Sequence, residues 1–164
     1  TDQRPTEQHA VRPWVVDDFP AAFPDWQCQV TALELARTFW EKATILHAEH
    51  HRPADQATPD RYARHYADME RLLRHPDAAV MLADHALCER VVEWKSRVFA
   101  RQWARYDLAR PGTFRFLTTE ERLAALARDY AQMRTMFIAA PPEFEVVMAR
   151  LAEAERTLNA SGAS

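Results

Sequence analysis

Two stretches hold residue types at spacings from which chemistry can be built. In RTFWEKATILHAEHHR, from residue 37, Lys42 stands within a helical pattern of apolar side chains, and only one other lysine, Lys95, occurs among the 21 basic residues. A compact ammonium with three donors suits a triphosphate in a way that the planar guanidinium does not duplicate. The simpler reading is a lysine whose stem lies on the core and whose head pairs with a neighbouring glutamate. In RYARHYADMERLL, from residue 61, Arg61, Arg64, His65 and Asp68 fall at i, i+3, i+4 and i+7, so their side chains project from one side of a helix. An aspartate so placed can hold Mg²⁺ or activate a hydroxyl while the arginines bind phosphate. An i, i+4 ion pair on a solvated face is the alternative.

Two further groups carry weaker signals. HAEHH supplies His47, His50 and His51, and histidines at i and i+4 suit zinc when a third ligand such as His65 arrives from elsewhere. The pattern is not H-E-x-x-H, and His47 and His50 lie on the apolar arc, where a hydrogen-bonded core histidine is the commoner case. Between Arg90 and Arg115, Arg90, Lys95, Arg97, Arg101, Arg105, Arg110 and Arg115 outnumber Glu93 and Asp107, with Trp103, Tyr106, Phe114 and Phe116 interleaved. Arg97, Arg101 and Arg105 share a stripe if the helix continues through them. Basic side chains beside exposed aromatics match an RNA backbone and unpaired bases, whereas the same aromatics buried would make an ordinary core.

The elements that must position these residues are mainly helical. Residues 12–26 pack three prolines among aromatics and predict at most short helical turns. CQVTAL, from residue 28, suits one strand, which needs a partner outside it, in sequence not present here or in another chain. From Glu34 a helix buries Ala36, Phe39, Trp40, Ala43, Leu46, His47 and His50 and stops at Pro53. Thr58-Pro59 predicts the N-cap and first position of a second helix with Tyr62, Tyr66, Met69 and Leu73 inward. After His75-Pro76 a long segment places Leu87, Val91, Trp94 and Val98 on one face. Thr118 with Glu121 reads as a capping box for a helix buried through Leu123, Leu126, Tyr130 and Phe137. A last helix turns Phe144, Val147, Met148, Leu151 and Leu158 inward, and NASGAS, residues 159–164, reads as a flexible tail. The predicted architecture is a helical bundle over residues 34–158 with a strand-containing appendage over residues 1–33.

Composition bounds the function. The 164 residues, 48% hydrophobic and 27% charged, suit one soluble domain, and no apolar run is long enough to span a bilayer or read as a secretory signal, so a cytoplasmic location is expected. A net charge of -3 gives no global pull toward nucleic acid. Two glycines cannot build a phosphate-cradling Gly-rich loop. Cys28 and Cys88 lack any metal or disulfide spacing and read as small buried hydrophobes. Thr at position 1 and the polar, Pro-punctuated start suggest a chain cut from a longer one.

RTFWEKATILHAEHHRP, RHYADMERLL and ARYDLARPGTFRF together resemble the C-terminal half of AbiEii/AbiGii-type nucleotidyltransferase toxins of type IV toxin–antitoxin pairs, a likeness that spans nearly the whole chain from VRPWVVDDFP onward. The resemblance implies a polymerase-beta-like nucleotidyltransferase, with an early G-S turn and a D-x-D-like acidic pair, then a motif lysine on one helix and an R-D-x-x-D-like segment on the next. It implies that Lys42 contacts the nucleoside triphosphate, with Arg64 and Asp68 as the arginine and last aspartate of the second segment and Asp68 supporting catalysis and metal binding. Arg61 and Arg52 would be helpers only. His65 stands where the family's pattern has an aspartate directly after the arginine.

No G-S turn and no D-x-D pair occur in these residues, and the adjacent acids of VVDDF cannot replace them, because neighbours on a strand point to opposite faces. Two-metal phosphoryl transfer needs clustered carboxylates around Mg²⁺. The expectation is therefore a C-terminal portion, inactive alone, of an enzyme moving a nucleotide from a nucleoside triphosphate to an acceptor such as a tRNA end, with Arg97, Arg101 and Arg105 toward RNA. In such pairs the antitoxin is generally a transcriptional repressor, so no stable complex with it is expected. The rival readings are a non-enzymatic helical interaction module of the same fold and a histidine-bound metal hydrolase.

Overall fold

The computed structural model describes residues 4–24 and 26–162. Residues 1–3 of the appendage and 163–164 of the expected tail lie outside that range. Strand β1 (Thr6–Val11) pairs antiparallel with β2 (Cys28–Leu33), in a register running from Thr6 opposite Leu33 to Val11 opposite Cys28, and the one-turn α1 (Val15–Asp18) lies between them. This corrects the expectation that CQVTAL finds its partner beyond the chain. Both strands are exposed almost throughout, and Cys28 with them, so it is not the buried hydrophobe its type suggested. Arg37 ties the ribbon to the bundle by donating from Nη1 to the Arg4 carbonyl at 2.8 Å.

Helices α2 (Leu35–His50) and α3 (Ala63–Leu73) form the centre, with α5 (His85–Val98) and α7 (Phe144–Ser161) packed against them and α4 (Ala78–Ala83) and α6 (Glu120–Gln132) at the sides. The 3.6-residue periodicity of α2 buries Phe39, Trp40, Ala43, Leu46 and His47 completely. Trp40 meets Phe39 edge-on at 5.1 Å and Phe114 at 5.8 Å, geometries that add to the burial of their area. Phe114 and Phe116 are therefore core, while Trp103 and Tyr106 stay half-buried.

Three helix starts differ from expectation. Thr58 does not cap α3: its hydroxyl donates to Glu49 Oε1 at 2.5 Å, and the helix begins five residues later. The Asp129 carboxylate of α6 caps it instead, accepting from the Arg61 and Ala63 N–H groups at 2.8 and 2.7 Å. The long segment after Pro76 breaks at Asp84, whose side chain accepts from the Leu87 N–H at 3.0 Å and starts α5 afresh. Val98, expected inward, is 55% exposed at the end of that helix. No Thr118 capping box forms, because α6 is preceded by Thr119, which makes no side-chain cap.

The last helix outruns its expected boundary at residue 158. The Asn159 side chain accepts from the Phe114 N–H at 2.9 Å and donates to its carbonyl at 3.0 Å, and Glu155 accepts from the Phe116 N–H at 2.6 Å. These bonds pin the irregular segment that carries Phe114 and Phe116 into the core. Gly112, at φ +95, turns that segment against the end of α7, where a Cβ on Gly162 would sit 2.4 Å from the Pro111 carbonyl carbon.

Candidate nucleotide-binding site

Lys42 lies midway along α2 at the edge of its buried arc, and Asp68 on the facing side of α3. The Lys42 ammonium donates to Asp68 Oδ2 at 2.5 Å and lies 3.4 Å from His65 Nδ1. Its partner is thus 26 residues away, not the neighbouring Glu41, which instead holds Arg37 at 2.8 Å and Lys95 at 2.5 Å. Burial first, and then the Lys42 charge, lower the His65 pKa to about 4, so His65 is neutral at pH 7, and with its proton on Nε2 its Nδ1 accepts from the ammonium, which can only donate. An ammonium has three N–H groups. Two are directed at Asp68 and His65, and one remains.

Lys42 and Asp68 line a cavity of about 350 Å³ together with Thr38, Arg71, Leu72 and His75. Asp68, Arg71 and His75 also line a second cavity of about 690 Å³, which runs to residues 136–142. Arg71 is exposed, and with Lys42 it gives the first cavity two cations against one carboxylate. Arg71 and His75 were missed from sequence. They follow Asp68 at i+3 and i+7, Arg71 in the last turn of α3 and His75 just past its end, so the polar stripe that singled out Arg61 and Arg64 extends forward as well as back.

The remaining candidates are distributed elsewhere. Arg64 is exposed on α3, and its charge reaches His65 but not the cavity wall. Arg61 precedes α3 at φ 59, its N–H spent on Asp129. Because α5 stops at Val98, Arg97, Arg101 and Arg105 form no helical stripe. Arg97 pairs with Glu93 at 2.5 Å and Arg105 with Asp107 at 2.8 Å, whereas no described carboxylate pairs with Arg101.

The histidines do not converge on a metal. His47 Nδ1 accepts from the Arg115 N–H at 3.1 Å while Nε2 donates to the Arg105 carbonyl at 2.9 Å, which fixes a neutral tautomer and leaves no lone pair for zinc. His50 Nδ1 is bonded to the Leu117 carbonyl at 2.8 Å. Among the described residues no cluster of three or more His, Cys, Asp or Glu side chains can hold a metal ion. Among the described residues Asp68 is the sole carboxylate on the first cavity, with one oxygen taken by Lys42, so these residues do not by themselves make a Mg²⁺ site.

Burial lowers the His47 pKa to about 4, against 6.5 for a free imidazole. The unfolded chain then binds more protons than the folded one between those values. Stability is full above pH 6.5 and falls by up to about 3 kcal/mol as pH drops toward 4. Urea midpoints measured from pH 7 to pH 4 should show this decline, and His47→Gln should make it shallower, leaving the part that His65, lowered to about 4 in the same way, contributes.

A model of the nucleotidyl transferase AbiEii toxin family, of type IV toxin–antitoxin systems, matches residues 2–150. The chain belongs to that family. No curated protein and no solved structure matches it. Membership implies a nucleotidyltransferase toxin that uses a nucleoside triphosphate and a divalent metal and has an antitoxin partner. Among the described residues no helix is long and apolar enough to cross a membrane.

Proposed function

We propose that this chain holds the nucleoside triphosphate of a toxin that transfers a nucleotide to an RNA acceptor such as a tRNA end, and that Lys42 is the group that grips the phosphates. The observation that carries the reading is an ammonium on a cavity wall that contacts Asp68 and a neutral His65 and has one N–H to spare. In the transfer, the acceptor hydroxyl oxygen bonds to the α-phosphorus, the bond to the bridging oxygen breaks, and pyrophosphate leaves. The leaving group gains charge, and a positioned cation beside it lowers the barrier. Asp68 is a positioning residue: it holds the ammonium at the mouth of the cavity. Arg71 adds a second phosphate contact from the same wall.

The carboxylates that would hold Mg²⁺ and receive the acceptor's proton are assigned to a preceding portion of the protein, with Asp68 at most one ligand among them. Residues 1–33 join that portion, a reading supported by the exposed Trp14, Phe19, Trp26 and Val30 around the ribbon. The chain alone is then inactive. The full-length protein, incubated with each labelled nucleoside triphosphate and total RNA, should label RNA. Asp68→Asn should reduce the rate about tenfold, mainly through a raised KM for the triphosphate, because Lys42 loses its anchor. RNA left unlabelled by all four triphosphates would contradict the proposal.

A further inference from the structure

Farther along α2 lies a pocket of about 240 Å³ whose chemistry the nucleotide site does not use. Its wall holds three cations, Arg52, Lys95 and Arg101, and four aromatic rings, Tyr62, Phe99, Trp103 and Tyr106, with no carboxylate among the described residues. The Arg52 guanidinium lies 4.9 Å from the Trp103 ring centroid and 5.9 Å from that of Tyr62, and its Nε is held by Glu49 at 2.7 Å. Lys95 stands 5.0 Å from the Phe99 centroid and is neutralised by Glu41. Arg101, 5.6 Å from the Trp103 centroid, is exposed and has no described carboxylate partner, so the pocket keeps a net positive charge at its rim. Paired cations fix the rings in place while one unpaired guanidinium stays available.

This combination selects a planar group that carries an anion. A nucleobase stacks on rings of this kind regardless of sequence, and its phosphate pairs with a guanidinium. The volume falls below the roughly 300–1,000 Å³ of pockets for drug-sized ligands, which limits the occupant to about one base. The pocket is also next to the candidate site. Tyr62 meets the His65 ring at 4.9 Å, and His65 Nδ1 lies 3.4 Å from the Lys42 ammonium. Lys42, Ile45 and Ala48 follow one another along α2, the first on the nucleotide cavity and the other two on the aromatic pocket.

We propose that this pocket binds one unpaired nucleotide of the acceptor RNA, its base among Tyr62, Trp103 and Tyr106 and its phosphate on Arg101. The assignment rests on the reading of the protein as a nucleotidyltransferase acting on RNA, but binding can be measured without transfer. The test is fluorescence anisotropy of a labelled single-stranded pentaribonucleotide on the full-length protein, with no triphosphate present. Arg101→Glu and Trp103→Leu should each weaken binding about tenfold or more, and Arg101→Gln should reduce the salt slope by about 0.7. All three variants should bind triphosphate as the wild type does, which shows that they are folded. Unchanged RNA affinity in Arg101→Glu and Trp103→Leu would overturn the proposal and leave the nucleotide site untouched. Displacement of the labelled RNA by free nucleoside triphosphate would also overturn it, because the pocket would then belong to the incoming nucleotide.

Discussion

Lys42→Ala is expected to reduce nucleotide transfer by about 10²–10³-fold, the usual cost of removing one preorganised donor to developing charge, while the chain stays folded. The two halves of that expectation have separate causes. The Lys42–Asp68 pair is partly exposed, at 23% and 48%, and pairs of this kind contribute about 0–1 kcal/mol to stability. Removing the ammonium leaves an aspartate that water can solvate and a neutral His65, and neither demands that α2 and α3 move apart. Catalysis has no such substitute, because among the described residues only Arg71 brings another cation to the same cavity wall. Lys42→Arg should recover little of the lost rate. The guanidinium is larger and planar, and bonding Asp68 would direct its fork away from the phosphates. Thermal melting alongside a transfer assay separates a lost contact from a lost fold.

Glu49→Ala should destabilise the chain by about 3–5 kcal/mol, the range found when one partner of a buried ion pair is removed. Glu49 is 1% exposed near the end of α2. It pairs with Arg52 at 2.7 Å, accepts the Thr58 hydroxyl at 2.5 Å and lies 3.9 Å from Arg122. Arg122 in turn donates to Thr58 and to the carbonyls of Pro53 and Gln56. One carboxylate and one guanidinium thus hold the irregular segment between α2 and α3, which contains no regular helix or strand. Without Glu49, two largely buried arginines lose their counter-charge. A loss of this size is a large fraction of the 5–15 kcal/mol that a domain typically has. Urea unfolding measures it directly, and a shift below about 1 kcal/mol would show that Arg122 holds the segment alone. Because that segment sets α3 against α2, transfer activity should fall with stability in this variant, unlike in Lys42→Ala.

The sequence made the helical parts of the site legible and left their meeting hidden. Lys42 at the edge of an apolar arc and Asp68 in a polar stripe follow from 3.6-residue arithmetic within each helix. That the two groups touch depends on the Glu49–Arg122 network and on the Asp129 cap of α3, contacts that reach across the chain and have no local signature. Thr58-Pro59 looks like a helix start because the local rule for such dipeptides takes no account of a buried glutamate competing for the hydroxyl. β1 was missed because TEQHAV is polar and exposed on both faces, so no alternation marks it. The hydrogen-bonded pairing with β2, including the Gln8 side chain on Thr31 at 2.6 Å, supplies the order instead. The basic stretch after Arg90 misled in a different way. Its charges were counted correctly, but α5 ends at Val98, and the turns beyond it pair Arg105 with Asp107 and bring Arg101 to Trp103. The Asp84 cap was within reach, since an aspartate three residues before a buried leucine is a standard helix start.

The central claim is that the ammonium of Lys42 recognises the phosphates beyond the first. The most direct test is the ratio of affinities for a nucleoside triphosphate and the matching monophosphate, measured by calorimetry on the full-length wild type and Lys42→Ala. The account predicts a strong preference for the triphosphate in the wild type that falls by about tenfold or more in the variant. An unchanged ratio would contradict it, because the extra phosphates would then be held somewhere other than between α2 and α3.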